Sequence, residues 1–200
     1  MRRISFASGE LYHIYNRGVD KRTIFESTAD FIRFLKGICF LNDQDYYTKQ
    51  SVTKYPSKYR TPGRPLISLK AFCLMPNHFH LLIQQVAENG VSKFMQRLAN
   101  SYTKYFNKKS ERSGHLLEGA YKIKPVNTDA YLLNLSKYIH LNPKDLGENP
   151  ETFPWSSYSH YLKGNRLPFL DTSEVLKSFK DSKDYKKFVD GSDTTPDVVF

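Results

Sequence analysis

Along the first half of the chain the hydrophobic positions change period several times, and each change marks an element. Residues 11–16, "LYHIYN", combine aromatic and β-branched residues as a strand does, and "RGVD" closes it with a turn. In "STADFIRFLKGICFLN", Ser27 stands three residues before Asp30, a capping-box spacing, and Phe31, Phe34, Leu35 and Ile38 then recur at helical intervals. "LISLKAFCLM" and "HFHLLIQQV" predict two strands joined through Pro76 and Asn77 as a hairpin, both of them central in their sheet. From Val91 to Lys108 the pattern is that of a long amphipathic helix. At ~100° per residue, Phe94, Met95, Leu98, Ala99, Tyr102 and Phe106 share one arc, while Lys93, Arg97, Lys104 and Lys108 form a narrow stripe on another. "YKIKPV" predicts a further strand, and "DAYLLNLSKYIHLN" a second strong helix that stops at Pro143.

The order β-α-β-β-α-β, followed by a helix, predicts an α+β fold of the ferredoxin-like kind, an antiparallel sheet with helices on one face. Two hundred residues with 40% hydrophobic content are enough for one domain with a real core. We place that domain at residues 1–150 and a C-terminal extension at 151–200. In the extension "FPWSSYSHYLKG" reads as ordered by its aromatics, and "DGSDTTPDVVF" as a mobile end.

No run approaches the ~18 apolar residues of a membrane span, and the start lacks the apolar centre of a signal peptide, so no membrane partner and a cytoplasmic location are expected. The two cysteines, Cys39 and Cys73, lie in apolar segments and read as buried, reduced thiols. Charge changes the picture more. Thirty Lys and Arg against twenty Asp and Glu give a formal +10, which favours polyanionic partners. Between Tyr46 and Pro65 the chain carries Lys49, Lys54, Lys58, Arg60 and Arg64, four tyrosines and no acid. Such a loop is either a solvated surface or a clamp that meets phosphates with cations and bases with rings. The stripe on the long helix admits the same two readings.

Two histidines remain to be explained, His78 and His80, set on either side of Phe79 in an otherwise hydrophobic strand. Imidazoles are costly to bury without partners. Side chains at i and i+2 of a strand point to the same face, so the pair is a ready-made bidentate metal claw. Read alone, it also fits two unrelated, hydrogen-bonded histidines, and a third ligand is needed to separate the two. On the inward arc of the last helix, with Tyr131, Leu132, Leu135 and Ile139, stand Tyr138 and Asn142, at i and i+4 and therefore together on one face. Tyr138 also fits a core tyrosine, and Asn142 a helix terminator. His140 falls on the opposite side, outside the site.

Taken together, "YHIYNRG", "MPNHFHLLI", "SYTKYFNKK", "SGHLLEGAYK", "YLLNLSKYIHLNP" and "PWSSY" form a pattern. Across Leu11 to Tyr161 it resembles the REP-associated tyrosine transposases, a branch of the single-tyrosine HUH transposases, in which HUH denotes two histidines around a hydrophobic residue. The resemblance implies that His78, His80 and Asn142 hold a divalent metal, Mg²⁺ or Mn²⁺. It implies that Tyr138 is the nucleophile, and that the substrate is single-stranded or hairpin DNA, cut and rejoined through a 5′-phosphotyrosine. Candidate DNA contacts are Arg17, Lys54, Lys58, Arg60, Lys93, Arg97, Lys104, Lys108 and Lys122; a homodimer is left open. Tyr102 reads as core, and Tyr105 is the runner-up nucleophile. The chain departs from the family at "LEGAY", where Leu117 and Ala120 replace the frequent Trp and Arg, and in the length of the 46–65 loop. A nucleic-acid-binding protein with cleavage lost or secondary is the alternative function, and a metal phosphodiesterase using water a third.

Overall fold

Four strands form one antiparallel sheet in the order β2-β3-β1-β4: β1 (Leu11–Arg17), β2 (Ile67–Met75), β3 (His78–Gln85) and β4 (Lys122–Val126). The computed structural model describes residues 6–45, 63–164 and 167–191. The expected hairpin of β2 and β3 is present, and β3 is central, but β2 is an edge strand. Its burial at every position but Ser68, which reads in the sequence as a central position, comes from helices on both faces and from the chain beyond 150. Residues beyond 150 run along its free side, with Leu74 N–H donating to Trp155 O, Ser157 N–H to Phe72 O and Asp171 N–H to Leu69 O. An edge strand with its outer amides covered loses its readiness to pair with another chain.

The ferredoxin-like order is observed, with α1 (Thr28–Leu41) between β1 and β2 and α2 (Gly90–Lys109) between β3 and β4. These two helices share one face of the sheet, where Phe31, Phe34, Leu35 and Ile38 of α1 and Phe94, Met95, Leu98, Tyr102 and Phe106 of α2 meet Tyr12, Ile14, Phe79, Leu81 and Ile83. Gly37 permits their close approach, since a Cβ there would lie 2.9 Å from Leu98 Cδ1. The other face is also covered. There α3 (Asp129–Leu141) lays Leu132, Leu135 and Ile139 against Ala71, Cys73 and Leu82, followed by α4 (Tyr158–Lys163), α5 (Ser173–Leu176) and α6 (Ser182–Asp190). Both cysteines are buried and neither is in a disulfide. Among the described residues no helix is long and apolar enough to cross a membrane.

At the start of α1, the capping-box spacing becomes a buried ionic knot. Asp30, 0% exposed, accepts from the backbone of Glu26 and Ser27, from Ser27 Oγ, from Tyr105 Oη at 2.8 Å and from Lys109 Nζ at 2.7 Å. Burial alone would raise its pKa, but the bonds from Lys109, Tyr105, Glu26 and Ser27 together hold it below the ordinary value. A carboxyl whose folded pKa is depressed stabilises above its unfolded pKa of about 3.9, and the stabilisation is lost as pH falls through the folded value. Asp30→Asn is therefore expected to cost about 1–3 kcal/mol at pH 7. In urea titrations the gap between parent and variant should shrink as pH falls from about 5 to 2; a gap independent of pH refutes the account.

Candidate active site

The two-residue period of β1 and β3 sorts their side chains between the faces. Phe79, Leu81, Tyr12 and Ile14 enter the α1–α2 core, which leaves His78, His80, His13 and Tyr15 on the α3 side. In the sheet Tyr15 is paired with His80 and Arg17 with His78. The imidazoles of His78 and His80 stand 5.1 Å apart, centroid to centroid, and nearly perpendicular. Above them, the Tyr138 ring lies 5.2 Å from His80, edge to face.

Asn142 reaches the same place by the way α3 ends. The α-helix closes at Leu141, but Asn142 keeps helical backbone angles and the chain continues as a 3-10 turn over Asn142–Leu146, with Pro143 at its start. Tyr138 and Asn142 therefore retain their i, i+4 alignment, and the Asn142 side-chain N–H donates to Tyr138 O at 2.8 Å. That bond fixes the amide, so that Oδ1 faces His78 Nε2 at 3.4 Å. On the other side of the same ring, His78 Nδ1 is 2.7 Å from Asn77 Oδ1, and Asn77 is oriented by a bond from its own amide N–H to Lys21 O.

His78 thus meets a carbonyl oxygen at each nitrogen. A neutral imidazole has one N–H to give. Protonating it would satisfy both oxygens, yet burial lowers the pKa of His78, with the Asn142 bond opposing the shift, and drives that of His80 further down. With the proton on Nδ1, toward the shorter contact, the lone pairs of His78 Nε2 and Asn142 Oδ1 converge. Two converging lone pairs, with a second imidazole alongside, are a donor set for a cation, of mixed nitrogen and oxygen type. Among the described residues no three His, Cys, Asp or Glu side chains are arranged to hold a metal ion by themselves, so a set built on His78 and His80 draws on the amide oxygen of Asn142. Burial pushes the Tyr138 hydroxyl up to about 12, a hydrogen bond with Asn142 opposing the shift.

The remaining candidates are distributed unevenly. Tyr102 and Tyr105 lie on the α1–α2 side, with Tyr102 Oη donating to Ile24 O and Tyr105 Oη to Asp30. His140 is buried on the far side of α3, bonded to Tyr185 Oη and Ser157 Oγ. Arg17 closes the site end of β1 and pairs with Glu118 at 2.7 Å. Lys122 lies over the Tyr15 ring, 5.9 Å from its centroid. On α2, Lys93, Lys104 and Lys108 are exposed. Arg97 is not part of a free stripe; its guanidinium donates to Leu41 O at 3.3 Å and Asp43 O at 2.7 Å, at the C-terminal end of α1. Lys54, Lys58 and Arg60 lie outside the described residues. Leu117 and Ala120, the departures from the transposase pattern, line a cavity of about 470 Å³ with Asn16, Phe79, Met95 and Tyr121, on the face opposite the imidazoles. Sequence reasoning missed His13 and Asn77, which stand behind the two histidines. The alternation in "YHIY" is the signal that places His13 beside Tyr15 on one face.

The sequence profile of the family described as "Transposase IS200 like" matches residues 59–142, a stretch that holds His78, His80, Tyr138 and Asn142. A solved structure of a REP-associated tyrosine transposase bound to a REP hairpin has the same fold, at TM-score 0.57 and 14% identity over 86% of this chain and 92% of that one. A putative transposase from Deinococcus radiodurans, 16% identical over 70% of this chain and 94% of its own, superposes at TM-score 0.39, too loosely to argue from. No curated protein matches the chain in sequence.

Arg97→Ala is expected to lower stability by about 1–2 kcal/mol, through the carbonyls it leaves at the end of α1. It should leave the salt dependence of DNA binding unchanged; a shallower salt slope would put Arg97 on the DNA path instead. The sequence match that ends at Asn142 and the fold shared with a REP-associated tyrosine transposase make the chain similar to the IS200-like transposases.

Proposed function

We propose that the protein is a metal-dependent endonuclease and strand transferase for single-stranded, hairpin-containing DNA, acting through a 5′-phosphotyrosine on Tyr138. The observation that carries this reading is the convergence of His78 Nε2 and Asn142 Oδ1 beside His80 and the Tyr138 ring. Binding DNA requires none of these four residues, so their assembly favours cleavage over a purely binding role.

His78, His80 and Asn142 would hold Mg²⁺ or Mn²⁺. When bound, such a cation neutralises charge on a non-bridging phosphate oxygen and so lowers the barrier to attack. Tyr138 supplies the nucleophile. With its pKa at about 12 the hydroxyl is protonated at neutral pH, so its proton must leave as the bond to phosphorus forms. The oxygen of Tyr138 bonds to the phosphorus, the bond from phosphorus to the 3′-oxygen breaks, and that oxygen leaves with a proton as a 3′-hydroxyl. The covalent link keeps the bond energy of the phosphodiester. Another 3′-hydroxyl can therefore reverse the attack and join a new strand.

The hairpin in the solved relative supports hairpin DNA as the substrate here. Formal charge of +10 and the tyrosine-interleaved cations of residues 46–65 suit a strand whose unpaired bases stack on rings. Replacing Lys54, Lys58 and Arg60 by Ala should weaken binding and flatten the log affinity against log salt slope by about 2, at ~0.7 per phosphate contact on single strands. An unchanged slope assigns that segment to solvent.

The decisive comparison is Tyr138→Phe against Tyr105→Phe. The first keeps the ring and loses one hydroxyl, so folding should change by no more than about 1 kcal/mol while the covalent DNA adduct disappears. Tyr105→Phe should still form the adduct on hairpin DNA with Mn²⁺, as read by a shift on denaturing gels. Adduct formation by Tyr138→Phe refutes the assignment of the nucleophile. His78→Ala should lose cleavage in a way that excess Mn²⁺ partly restores, whereas no metal can restore the missing hydroxyl.

A further inference from the structure

β1 contributes to the site a residue that the histidine motif does not include. His13 is 0% exposed, its Nε2 lies 2.9 Å from His80 Nδ1, and its ring stacks on Tyr15 with centroids 4.7 Å apart. Its Nδ1 has no hydrogen-bond partner among the described residues. Two neutral imidazoles in contact nitrogen to nitrogen have one proton between them, and only two arrangements follow. If His13 donates, the proton of His80 itself must sit on Nε2, and that nitrogen has no lone pair left for a ligand. If His80 donates from Nδ1, its Nε2 carries the lone pair and the proton of His13 moves to the unpartnered Nδ1.

We propose that His13 is a positioning residue for the metal centre: it accepts the Nδ1–H of His80 and so keeps His80 Nε2 a ligand, with the ring held in plane. The inference rests on the metal-dependent reading given above. The same relation recurs at the neighbouring ring, where Asn77 Oδ1 stands 2.7 Å behind His78 Nδ1. Both imidazoles are thus backed at Nδ1 by a fixed acceptor, and both turn Nε2 forward. Partners of this kind orient ligating histidines and set their tautomer.

The test is the Mn²⁺ affinity of the full chain without DNA, read from the electron paramagnetic resonance signal of free Mn²⁺. His13→Phe fills the space without an acceptor and should bind Mn²⁺ about 10–100-fold more weakly. His13→Gln, which keeps an acceptor oxygen, should lie closer to the parent. Hairpin DNA binding in EDTA should be the same for all three. Parental Mn²⁺ affinity in a folded His13→Phe overturns the role of His13 alone, whereas a parent that binds no Mn²⁺ overturns the metal-dependent reading and this inference with it. If His13→Phe does not fold, the imidazole ¹⁵N spectrum of the Mg²⁺-loaded parent decides. A proton on His80 Nδ1 supports the proposal, and one on Nε2 overturns it.

Discussion

Within β3, Phe79 points into the α1–α2 core at 1% exposure, and the pleat then obliges His78 and His80 to point the other way. A slip of one residue would carry both imidazoles into the hydrocarbon core and Phe79 out of it, so the register is fixed by the cost of both errors. The arrangement works only because the sheet is buried on both faces. An open face would solvate the histidines and remove the pressure that keeps them neutral. Covered by α3, the same face becomes a polar layer of low dielectric in which ring nitrogens must find acceptors or cations.

α3 is held from behind. His140 Nδ1–H donates to Tyr185 Oη, Tyr185 to Ser136 Oγ, and Ser136 to Leu133 O, while His140 Nε2 accepts from Ser157 Oγ, itself the acceptor of Phe72 N–H. Each group in this chain gives what its neighbour takes, and a neutral His140, its pKa pushed down to about 3 by burial, satisfies all of it. Lys137 adds a bond to Gly191 O at the end of α6, and Lys70 of β2 an ion pair with Asp171. Burial alone would raise the pKa of Asp171, but bonds from Lys70 and Ser173 bring it to about 2. Residues beyond 150 therefore do two jobs. They shield the β2 edge, and they hold the outer side of the helix that bears Tyr138 and Asn142.

Much of this was legible in the sequence because it follows from local periods. The two-residue period in "HFH" puts both histidines on one side, and the 3.6-residue period puts Tyr138 above Asn142 and turns His140 away. The capping box at Ser27 and the core arc of α2 are local in the same sense. What the sequence does not reveal is set between elements. Burial of every second residue marks a strand with one solvated face and burial of nearly all a strand covered on both, so β2 reads as central although it lies at the edge, its outer side covered by residues far along the chain. Arg97 reads as one cation in a stripe because nothing local tells that the carbonyls ending α1 lie beside it. The place of His13 behind His80 depends on the register of β1 with β3, which alternation alone does not supply.

The polar layer is satisfied unevenly, and the unevenness has a direction. Behind the histidines, Asn77 and His13 stand at Nδ1; ahead of them Asn142 Oδ1 faces His78 Nε2 at 3.4 Å. Tyr138, its hydroxyl held protonated by burial, stands over the same point. The bond from the Asn142 side-chain N–H to Tyr138 O keeps its oxygen, rather than its nitrogen, turned toward the ring. The backbone of the proposed nucleophile thus orients the proposed ligand, and Tyr138 and Asn142 move as one unit with the end of α3. A displacement of that helix end would shift nucleophile and ligand together, which keeps their relative geometry while changing their distance from the histidines of β3. The hydrogen-bonded anchor at His140, two residues from each of them, is the part of the structure that limits such a displacement.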